Sequence, residues 1–332
     1  MFPERRMRRI RRRAIQPLVR ETRITKEDLI APLFIDENAR EPIPIASMPG
    51  QFRYPIQSVG TIAQRLRDVG IRAVILFGIP EIKDAEASGA YAEEGVIQQA
   101  VRAIRAVVPD MVIITDLCAC EYTDHGHCGI ILKEGSETEP DNDASLELMQ
   151  KIAISQAMSG ADIVAPSCML DGMVTSIRDA LDRAGFYEVS IMSYSTKFAS
   201  ALYGPFRDAA DSGSFSGDRT TYQMDVANKK EAFLESELDA TEGADFLMVK
   251  PGGWFLDIVR DITELGLPLV VYQVSGEYAM IRAAAQNGWL DEKKTVIESL
   301  ICIKRAGASL IITYFAEDVC RWLDEVRNNA DE

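Results

Sequence analysis

Residues 111–129 read Met-Val-Ile-Ile-Thr-Asp-Leu-Cys-Ala-Cys-Glu-Tyr-Thr-Asp-His-Gly-His-Cys-Gly, and they join a short apolar run to a long polar loop. The run at 111–116 is rich in Val and Ile and is short, as buried parallel strands are. The loop after it holds three of the six cysteines and both histidines of the chain. The stretch therefore predicts a buried strand followed by a loop that carries chemistry.

Similar apolar runs recur at fairly even spacing along the whole chain, and segments with helical spacing lie between most of them. The apolar runs are at 31–35, 73–77, 111–116, 162–166, 189–194, 246–250, 268–273 and 309–315. The helical segments are at 62–69, 95–108, 145–159, 173–184, 228–242, 277–287 and 290–306. Eight strands that alternate with helices predict an α/β fold, a (β/α)8 TIM barrel. The alternative is an open doubly wound sheet, but no Gly-x-Gly-x-x-Gly follows the first run.

The composition indicates a chain with a buried core and without an apolar run long enough to span a membrane. Apolar residues make up 47% of 332 residues, which is ample for a buried core. No apolar run approaches the ~20 residues that span a bilayer, and the first residues form no apolar secretory segment. Three cysteines cluster and three are scattered, a usage that fits a reducing compartment. We expect a cytoplasmic protein without a membrane partner.

The first residues of the chain form a basic arm on an acidic body. Residues 1–23 carry nine arginines and two glutamates, a net charge of +7, so that the rest of the chain carries −22. The arm could bind nucleic acid, direct the chain to an organelle, dock on another subunit, or be a solvated tail. Docking is favoured because the acidic body would repel a polyanion. We therefore expect an arm at 1–24, a single barrel domain at 25–332, and no nucleic-acid partner.

Three cysteines in the loop predict a metal centre. Cys118, Cys120 and Cys128 are soft donors that select zinc over magnesium or calcium. Three thiolates leave the fourth tetrahedral position open, as in catalytic zinc sites. His125 and His127 could be ligands or hydrogen-bond donors to them. The alternatives are a structural zinc or three ordinary thiols.

Two lysines end successive predicted strands. Lys250 follows Phe-Leu-Met-Val, and Lys197 lies just past the run at 189–194. Burial lowers the pKa of a lysine and leaves a nucleophilic amine. Neighbouring barrel strands are ~4.8 Å apart, so each ammonium would also lower the pKa of the other. The alternative is that the lysines extend to solvent at the strand ends.

Further polar residues follow the later strands. Arg207 and Arg219 fall in a glycine-rich segment at 206–222 that resembles a lid, and arginines suit carboxylates. Each arginine alone is more typical of a surface salt bridge than of a substrate site. The remaining candidates are the hydroxyls of Ser275 and Tyr314 and the carboxylates of Asp116 and Asp171, which could shuttle protons or serve as caps and turns.

Many of these segments together resemble the porphobilinogen synthase family, also called 5-aminolaevulinate dehydratase. The matching stretches are Ser-Met-Pro-Gly (47–50), the cysteine loop (116–129), Ala-Pro-Ser (165–167), Asp-Gly (171–172), Ser-Tyr-Ser-Thr-Lys-Phe-Ala-Ser (193–200), Tyr-Gly-Pro-Phe-Arg-Asp-Ala (203–209), Met-Val-Lys-Pro-Gly (248–252), Tyr-Gln-Val-Ser-Gly-Glu-Tyr-Ala-Met (272–280) and Lys-Arg-Ala-Gly-Ala (304–308). The resemblance runs from the end of the arm to about residue 315.

The resemblance implies a TIM-barrel enzyme that condenses two 5-aminolaevulinates to porphobilinogen with loss of two waters, in haem biosynthesis. It implies a homo-octamer held by the arms. Lys250 would form a Schiff base with the substrate of the propionate side, and Lys197 with that of the acetate side. By the same resemblance, Ser275 and Tyr314 would bind the substrate carboxylate on the propionate side, and Arg207, Arg219 and Gln223 would bind the one on the acetate side. Zinc would be bound by Cys118, Cys120 and Cys128. An allosteric magnesium would lie at Glu235.

One loop departs from the family pattern. After Ala-Pro-Ser the family often has Asp-Met-Met-Asp-Gly-Arg, where this chain has Cys168-Met-Leu-Asp-Gly-Met173. Cys168 could be an extra thiol near the metal or a buried inert cysteine. Two other functions stay open at this point. One is a Schiff-base class I aldolase-type lyase with a structural zinc. The other is a non-catalytic protein whose arm binds nucleic acid.

Overall fold

Eight parallel strands form a closed barrel in the structure, a computed structural model that describes residues 3–131, 139–210 and 219–328. Each barrel strand pairs with the next one along the chain, and the last pairs with the first, with Leu29 opposite Ile311. The predicted α/β (β/α)8 TIM barrel is confirmed, and the open sheet is wrong. The barrel strands are β1 (Leu29–Asp36), β4 (Ala73–Ile79), β5 (Val112–Leu117), β6 (Ile163–Pro166), β7 (Ser190–Lys197), β8 (Phe246–Lys250), β9 (Leu269–Gln273) and β10 (Leu310–Thr313).

The barrel strands coincide with the eight predicted apolar runs because both faces of each strand are covered. All eight residues of β1 and all five of β9 are buried. In a parallel barrel one strand face packs in the interior and the other packs under helices, so polar alternation is absent. The two lysines that end β7 and β8 are therefore held at the carboxyl mouth by a rigid scaffold.

A small hairpin extends the sheet beside the first barrel strand. Its strands are β2 (Ile43–Pro44) and β3 (Phe52–Pro55), which pair antiparallel. β3 pairs with the end of β1, while β10 pairs with its beginning. Between the hairpin strands, Gln51 donates a hydrogen bond to the backbone oxygen of Tyr314 at 3.0 Å. The hairpin thus ties down the chain just after the last barrel strand.

The helices surround the barrel, and each of the seven predicted helical segments overlaps one of them. In the third helix, Ile97, Val101 and Ile104 are buried at spacings of four and three, which is the stripe that a helix presents to a core. Four helices were not predicted, the first, sixth, eighth and eleventh. The helices are α1 (Arg6–Ile10), α2 (Val59–Asp68), α3 (Val96–Val107), α4 (Asn142–Met158), α5 (Met173–Arg183), α6 (Gly204–Ala209), α7 (Lys229–Glu242), α8 (Leu256–Ile262), α9 (Ser275–Gln286), α10 (Glu292–Ala306) and α11 (Ala316–Asn328).

The arginine-rich segment lies outside the barrel. α1 has no buried residue. Leu18 is 80% exposed and Met7 54%, so apolar as well as basic side chains face outward. At the base of the segment, Ile24 packs against the core. Within the described ranges, no helix combines the length and apolar character that a membrane span requires.

Candidate active site and metal centre

The two lysines lie side by side at the carboxyl mouth of the barrel. Lys197 ends β7, Lys250 ends β8, and the two residues are directly paired in the register of these strands. Only 5% of Lys197 and 6% of Lys250 is exposed. The structure therefore brings together the two amines that the sequence predicts to be neighbours.

Four aromatic rings surround the amine of Lys250. Its Nζ lies 4.6 Å from the ring centre of Tyr272, 5.0 Å from Tyr194, 5.1 Å from Phe206 and 5.2 Å from Tyr203. We call these four residues the aromatic box. Burial, and after it the positive charge of the neighbouring lysine, lowers the pKa of Lys250 to about 7. Near neutral pH a large fraction of this amine is uncharged and nucleophilic.

Lys197 lies between the aromatic box and the cysteines. Its Nζ donates a hydrogen bond to the backbone oxygen of Ser167 and lies 5.6 Å from the ring centre of Tyr194. Burial acts to lower the pKa of Lys197, but the negative charge of nearby thiolates, that of Cys128 first, outweighs burial and raises the pKa. The predicted lowering of the pKa by burial and by the neighbouring lysine is thus found for Lys250, whereas the thiolate charges reverse the net direction for Lys197.

The three predicted zinc ligands converge. Cys118 and Cys120 follow β5 directly, and the loop returns to bring Cys128 beside them. Their sulfurs all lie within 4.8 Å of one another, with 3.2 Å between Cys118 and Cys120, and all three residues are buried. Hydrogen bonds from the other two thiols hold the pKa of Cys128 well below its usual range. This donor set fits a tetrahedral zinc ion.

The two histidines of the cysteine loop are linked to each other by a hydrogen bond. His125 Nδ1 accepts a hydrogen bond from the backbone N–H of His127 at 3.1 Å. Among the described residues, neither histidine belongs to a group of ligating atoms close enough to share one ion. The structure thus places the histidines in the loop around the sulfurs and not among the candidate ligands.

Two carboxylates lie on the lysine side of the sulfurs. Asp116 and Glu121 each have an oxygen within 4.8 Å of the sulfur of Cys118 and of each other. Burial, and next the charge of Glu121, raises the pKa of Asp116 to about 7. Ser167 donates its hydroxyl to Asp116 at 3.2 Å. Asp116 is therefore placed to exchange a proton, whereas Asp171 is exposed on a loop after β6.

The predicted lid is described at its two ends, because residues 211–218 lie outside the described ranges. Arg219 Nη2 donates to the backbone oxygen of Gly126 at 3.0 Å, which docks the segment on the cysteine loop. The pKa of Arg207 is lowered by partial burial and by the positive charge of Arg219, so the two guanidinium groups are near each other. Gln223 is buried, and in the described part of the chain its side-chain nitrogen has no hydrogen-bond partner. These three residues together offer a cationic, donor-rich face.

The two predicted hydroxyls adjoin the aromatic box. Ser275 Oγ accepts a hydrogen bond from the backbone N–H of Phe206 at 3.0 Å. The hydroxyl oxygens of Tyr314 and Tyr272 are 2.8 Å apart. Ser275 and Tyr314 therefore lie close to the ring residues that surround Lys250.

Glu235 lies on α7 at an acidic cavity of about 420 Å³, which Asp171, Glu231 and Gln223 also line. Burial, and next the charge of Asp171, raises the pKa of Glu235 to about 7. Of the side chains that the structure describes, those around Glu235 form no group with ligand atoms close enough to share an ion.

The aromatic box and Glu121 were not predicted from the sequence. Strict alternation along β7 places Tyr194 and Lys197, three residues apart, on opposite faces. An irregularity between Ser193 and Thr196 shifts the register by one residue, which brings both side chains to the same side. The tyrosine within each of β7 and β9, Tyr194 and Tyr272, was the available signal in the sequence.

Most of the chain, residues 4–322, matches the family model described as delta-aminolevulinic acid dehydratase. The delta-aminolevulinic acid dehydratase of Archaeoglobus fulgidus is 54% identical over 97% of this chain and 99% of its own length. That of Halalkalibacterium halodurans is 52% identical, with 94% of each chain covered. The crystal structure of the Toxoplasma gondii enzyme with its product porphobilinogen matches with a TM-score of 0.92 and 41% identity, covering 97% of this chain and 91% of that one. The chain therefore belongs to the delta-aminolevulinic acid dehydratase family of enzymes.

Proposed function

We propose that this enzyme condenses two molecules of 5-aminolaevulinate to porphobilinogen, with loss of two waters, as a step of haem biosynthesis. The observation that carries the proposal is the direct pairing of two buried lysines beside a cluster of three cysteine sulfurs at one barrel mouth. The name of the family and the product bound to the Toxoplasma gondii enzyme support the same reaction.

In this proposal each lysine holds one substrate as a Schiff base. The uncharged amine of Lys250 attacks the keto carbon of one substrate, and the carbonyl oxygen leaves as water. Lys197 does the same with the second substrate. Two tethered substrates react as parts of one molecule, which removes much of the entropic barrier to their union. One C–C and one C–N bond then join them, both lysines are released, and the two carbonyl oxygens have left as water.

The polar side chains around the lysines would hold the substrate carboxylates. Ser275 and Tyr314, next to the aromatic box, offer hydroxyl donors on the propionate side. Arg207, Arg219 and Gln223 offer guanidinium and amide donors on the acetate side, and the buried amide nitrogen of Gln223 lacks a partner among the described residues. A carboxylate would satisfy that donor, whose burial without a hydrogen bond is costly.

We assign a zinc ion to Cys118, Cys120 and Cys128, because buried thiols at this spacing are the donor set that zinc prefers. When bound, the ion supplies positive charge that stabilises charge developing on the amine or carbonyl oxygen of the second substrate. A bound zinc ion would balance the negative charge of the three sulfurs. The sulfurs would then raise the pKa of Lys197 less than they do without the ion, and more of that amine would be uncharged. Asp116, with its pKa of about 7, would accept and return protons beside both lysines.

The proposal extends to the assembly and to a second metal. The exposed Leu18 and Met7 support an arm at 1–24 that docks on neighbouring barrels of residues 25–332, in a homo-octamer. The acidic surroundings of Glu235 support an allosteric magnesium, held there through water. All six cysteines are free thiols, which supports a cytoplasmic location.

A colour assay for a pyrrole tests the proposed reaction directly. The purified enzyme is incubated with 5-aminolaevulinate, with and without added zinc, and the product is developed with an Ehrlich-type aldehyde reagent. We expect a coloured pyrrole whose yield depends on zinc, and none from a Lys250→Met variant. Zinc-independent turnover would contradict the metal assignment. Absence of a pyrrole, together with C–C bond cleavage or formation on other keto acids, would instead indicate a Schiff-base aldolase.

A further inference from the structure

A fourth sulfur lies against the proposed zinc ligands. Cys168 is fully buried, and its Sγ lies 3.6 Å from the Sγ of Cys118. Its other sulfur contact is Met149 Sδ at 3.5 Å. Cys168 follows β6, the barrel neighbour of β5, so the two adjacent strands deliver their cysteines to the same place. The backbone there is fixed by a hydrogen bond from Ser167 N–H to the oxygen of Leu117 at 3.1 Å.

The distances are close to those of a four-sulfur site. With zinc–sulfur bonds of about 2.3 Å, the sulfurs of a tetrahedral site lie about 3.8 Å apart. The separation of 3.6 Å between Cys168 and Cys118 is near that value. Cys168 lies outside the group of three whose sulfurs are all within 4.8 Å.

We infer that Cys168 is the fourth sulfur ligand of the metal while no substrate is bound. The inference rests on the proposed zinc site and deepens it. On binding, the thiol of Cys168 gives up its proton to solvent and its sulfur takes the fourth position. A soft donor in this place fits zinc better than water does. A substrate atom can then reach the metal only when Cys168 leaves.

The same loop also contacts one of the lysines. The backbone oxygen of Ser167, the residue before Cys168, accepts the hydrogen bond from Lys197 Nζ. Withdrawal of Cys168 from the metal would therefore act next to the amine that holds the second substrate. One short loop would then control both the access of substrate to the metal and the position of Lys197.

X-ray absorption of the zinc-loaded wild-type enzyme counts the sulfurs without any substitution. We expect four sulfurs at about 2.3 Å from zinc in the absence of substrate. Three sulfurs and one oxygen or nitrogen would overturn the inference. Because this measurement uses the unaltered chain, it holds whether or not a variant folds.

Cobalt substitution gives a second readout with a matched control. Cobalt(II) is loaded into the wild type, Cys168→Ser and Cys320→Ser, the last being a buried cysteine on α11 outside the sulfur cluster. The sulfur-to-cobalt absorption should fall by about a quarter in Cys168→Ser, from four thiolates to three, and stay unchanged in Cys320→Ser. Equal intensity in all three proteins would overturn the inference.

The failures of the two proposals look different. A chain that binds neither zinc nor cobalt would overturn the zinc site and this inference with it. A chain that binds zinc through three sulfurs and still forms the pyrrole would overturn the role of Cys168 alone.

Discussion

At the scale of single residues, the chemistry depends on the environment of one amine. Lys250 is buried and lies beside another lysine, and both conditions favour its uncharged form. An amine with a pKa of about 7 is a nucleophile at neutral pH, whereas a solvated lysine is almost wholly protonated there. We therefore count the aromatic box as part of the candidate active site, together with Lys250.

The rate of Schiff-base formation at Lys250 should follow its ionisation. Only the neutral amine attacks a carbonyl, so the rate rises with pH through about 7 and levels off above it. The initial rate of substrate trapping by borohydride, measured from pH 5.5 to 9, gives the profile. A rate that falls as pH rises through this range would contradict the assignment.

Opening the aromatic box should move that profile. In Phe206→Ala, water reaches the amine, the penalty on its charged form shrinks, and the midpoint shifts upward by about one pH unit. Phe233→Ala, on α7 and outside the box, is the matched control and should leave the midpoint in place. Equal midpoints in the two variants would show that the rings do not set the pKa of Lys250.

At the scale of secondary-structure elements, the start of α9 is packed closely against the chain after β7. A side chain at Gly276 would place its Cβ 2.5 Å from the backbone oxygen of Leu202. Ser275, the neighbour of this glycine, itself donates a hydrogen bond to the same oxygen at 3.3 Å. The close approach thus positions a candidate carboxylate ligand.

Gly276→Ala should therefore destabilise the fold and weaken substrate binding. The methyl group meets backbone, which cannot rotate away, and we expect a loss of about 1–3 kcal/mol in the free energy of unfolding and a higher KM. Gly204→Ala is the control, because among the described residues no atom beyond its chain neighbours and the backbone of its own helix lies within 4 Å of the added Cβ. Urea unfolding and kinetics of both variants provide the comparison. A Gly276→Ala enzyme as stable as Gly204→Ala would show that the contact is not tight.

The elements also show what the sequence could predict. All eight barrel strands were found, because a strand covered on both faces is a continuous apolar run. The hairpin of β2 and β3 was missed, since strands of two and four residues, partly exposed, show no pattern. The aromatic box was missed because the irregularity in β7 depends on how that strand pairs with β8. The pairing of Lys250 with Lys197 and the convergence of the three cysteines could be predicted because strand order and thiol spacing are visible in the sequence itself.

At the scale of the whole molecule, the sulfur cluster lies outside the hydrogen-bonded strands of the barrel, although its residues are buried, and the arginine-rich segment is exposed. The sulfur cluster lies in the loop after β5, and the strands below it are closed by their own hydrogen bonds. The arm is exposed and basic, while the remainder of the chain is acidic. Removing either should therefore change the function without unfolding the barrel.

Removal of zinc should abolish turnover and leave the fold intact. After chelation we expect pyrrole formation to fall by at least about 100-fold, while the far-ultraviolet circular dichroism is preserved and added zinc restores activity. Global unfolding on chelation would instead indicate a structural metal.

Deletion of residues 1–24 should disassemble the enzyme. Without the arm, each acidic barrel loses the basic segment that would dock on it from a neighbouring subunit. It also loses the apolar contacts that the exposed Leu18 and Met7 of that segment would make. Light scattering should then report a mass well below that of the full-length protein, for which we propose an octamer, with an unchanged circular dichroism spectrum. A truncated chain that keeps the full mass would contradict docking by the arm.

The most direct test of the account is borohydride reduction of the enzyme during turnover of 5-aminolaevulinate, followed by peptide mass mapping. We predict a reduced substrate adduct on Lys250, absent without substrate and absent from a Lys250→Met variant. Formation of the pyrrole with no adduct on Lys250, or with the adduct on a lysine outside the barrel mouth, would contradict it.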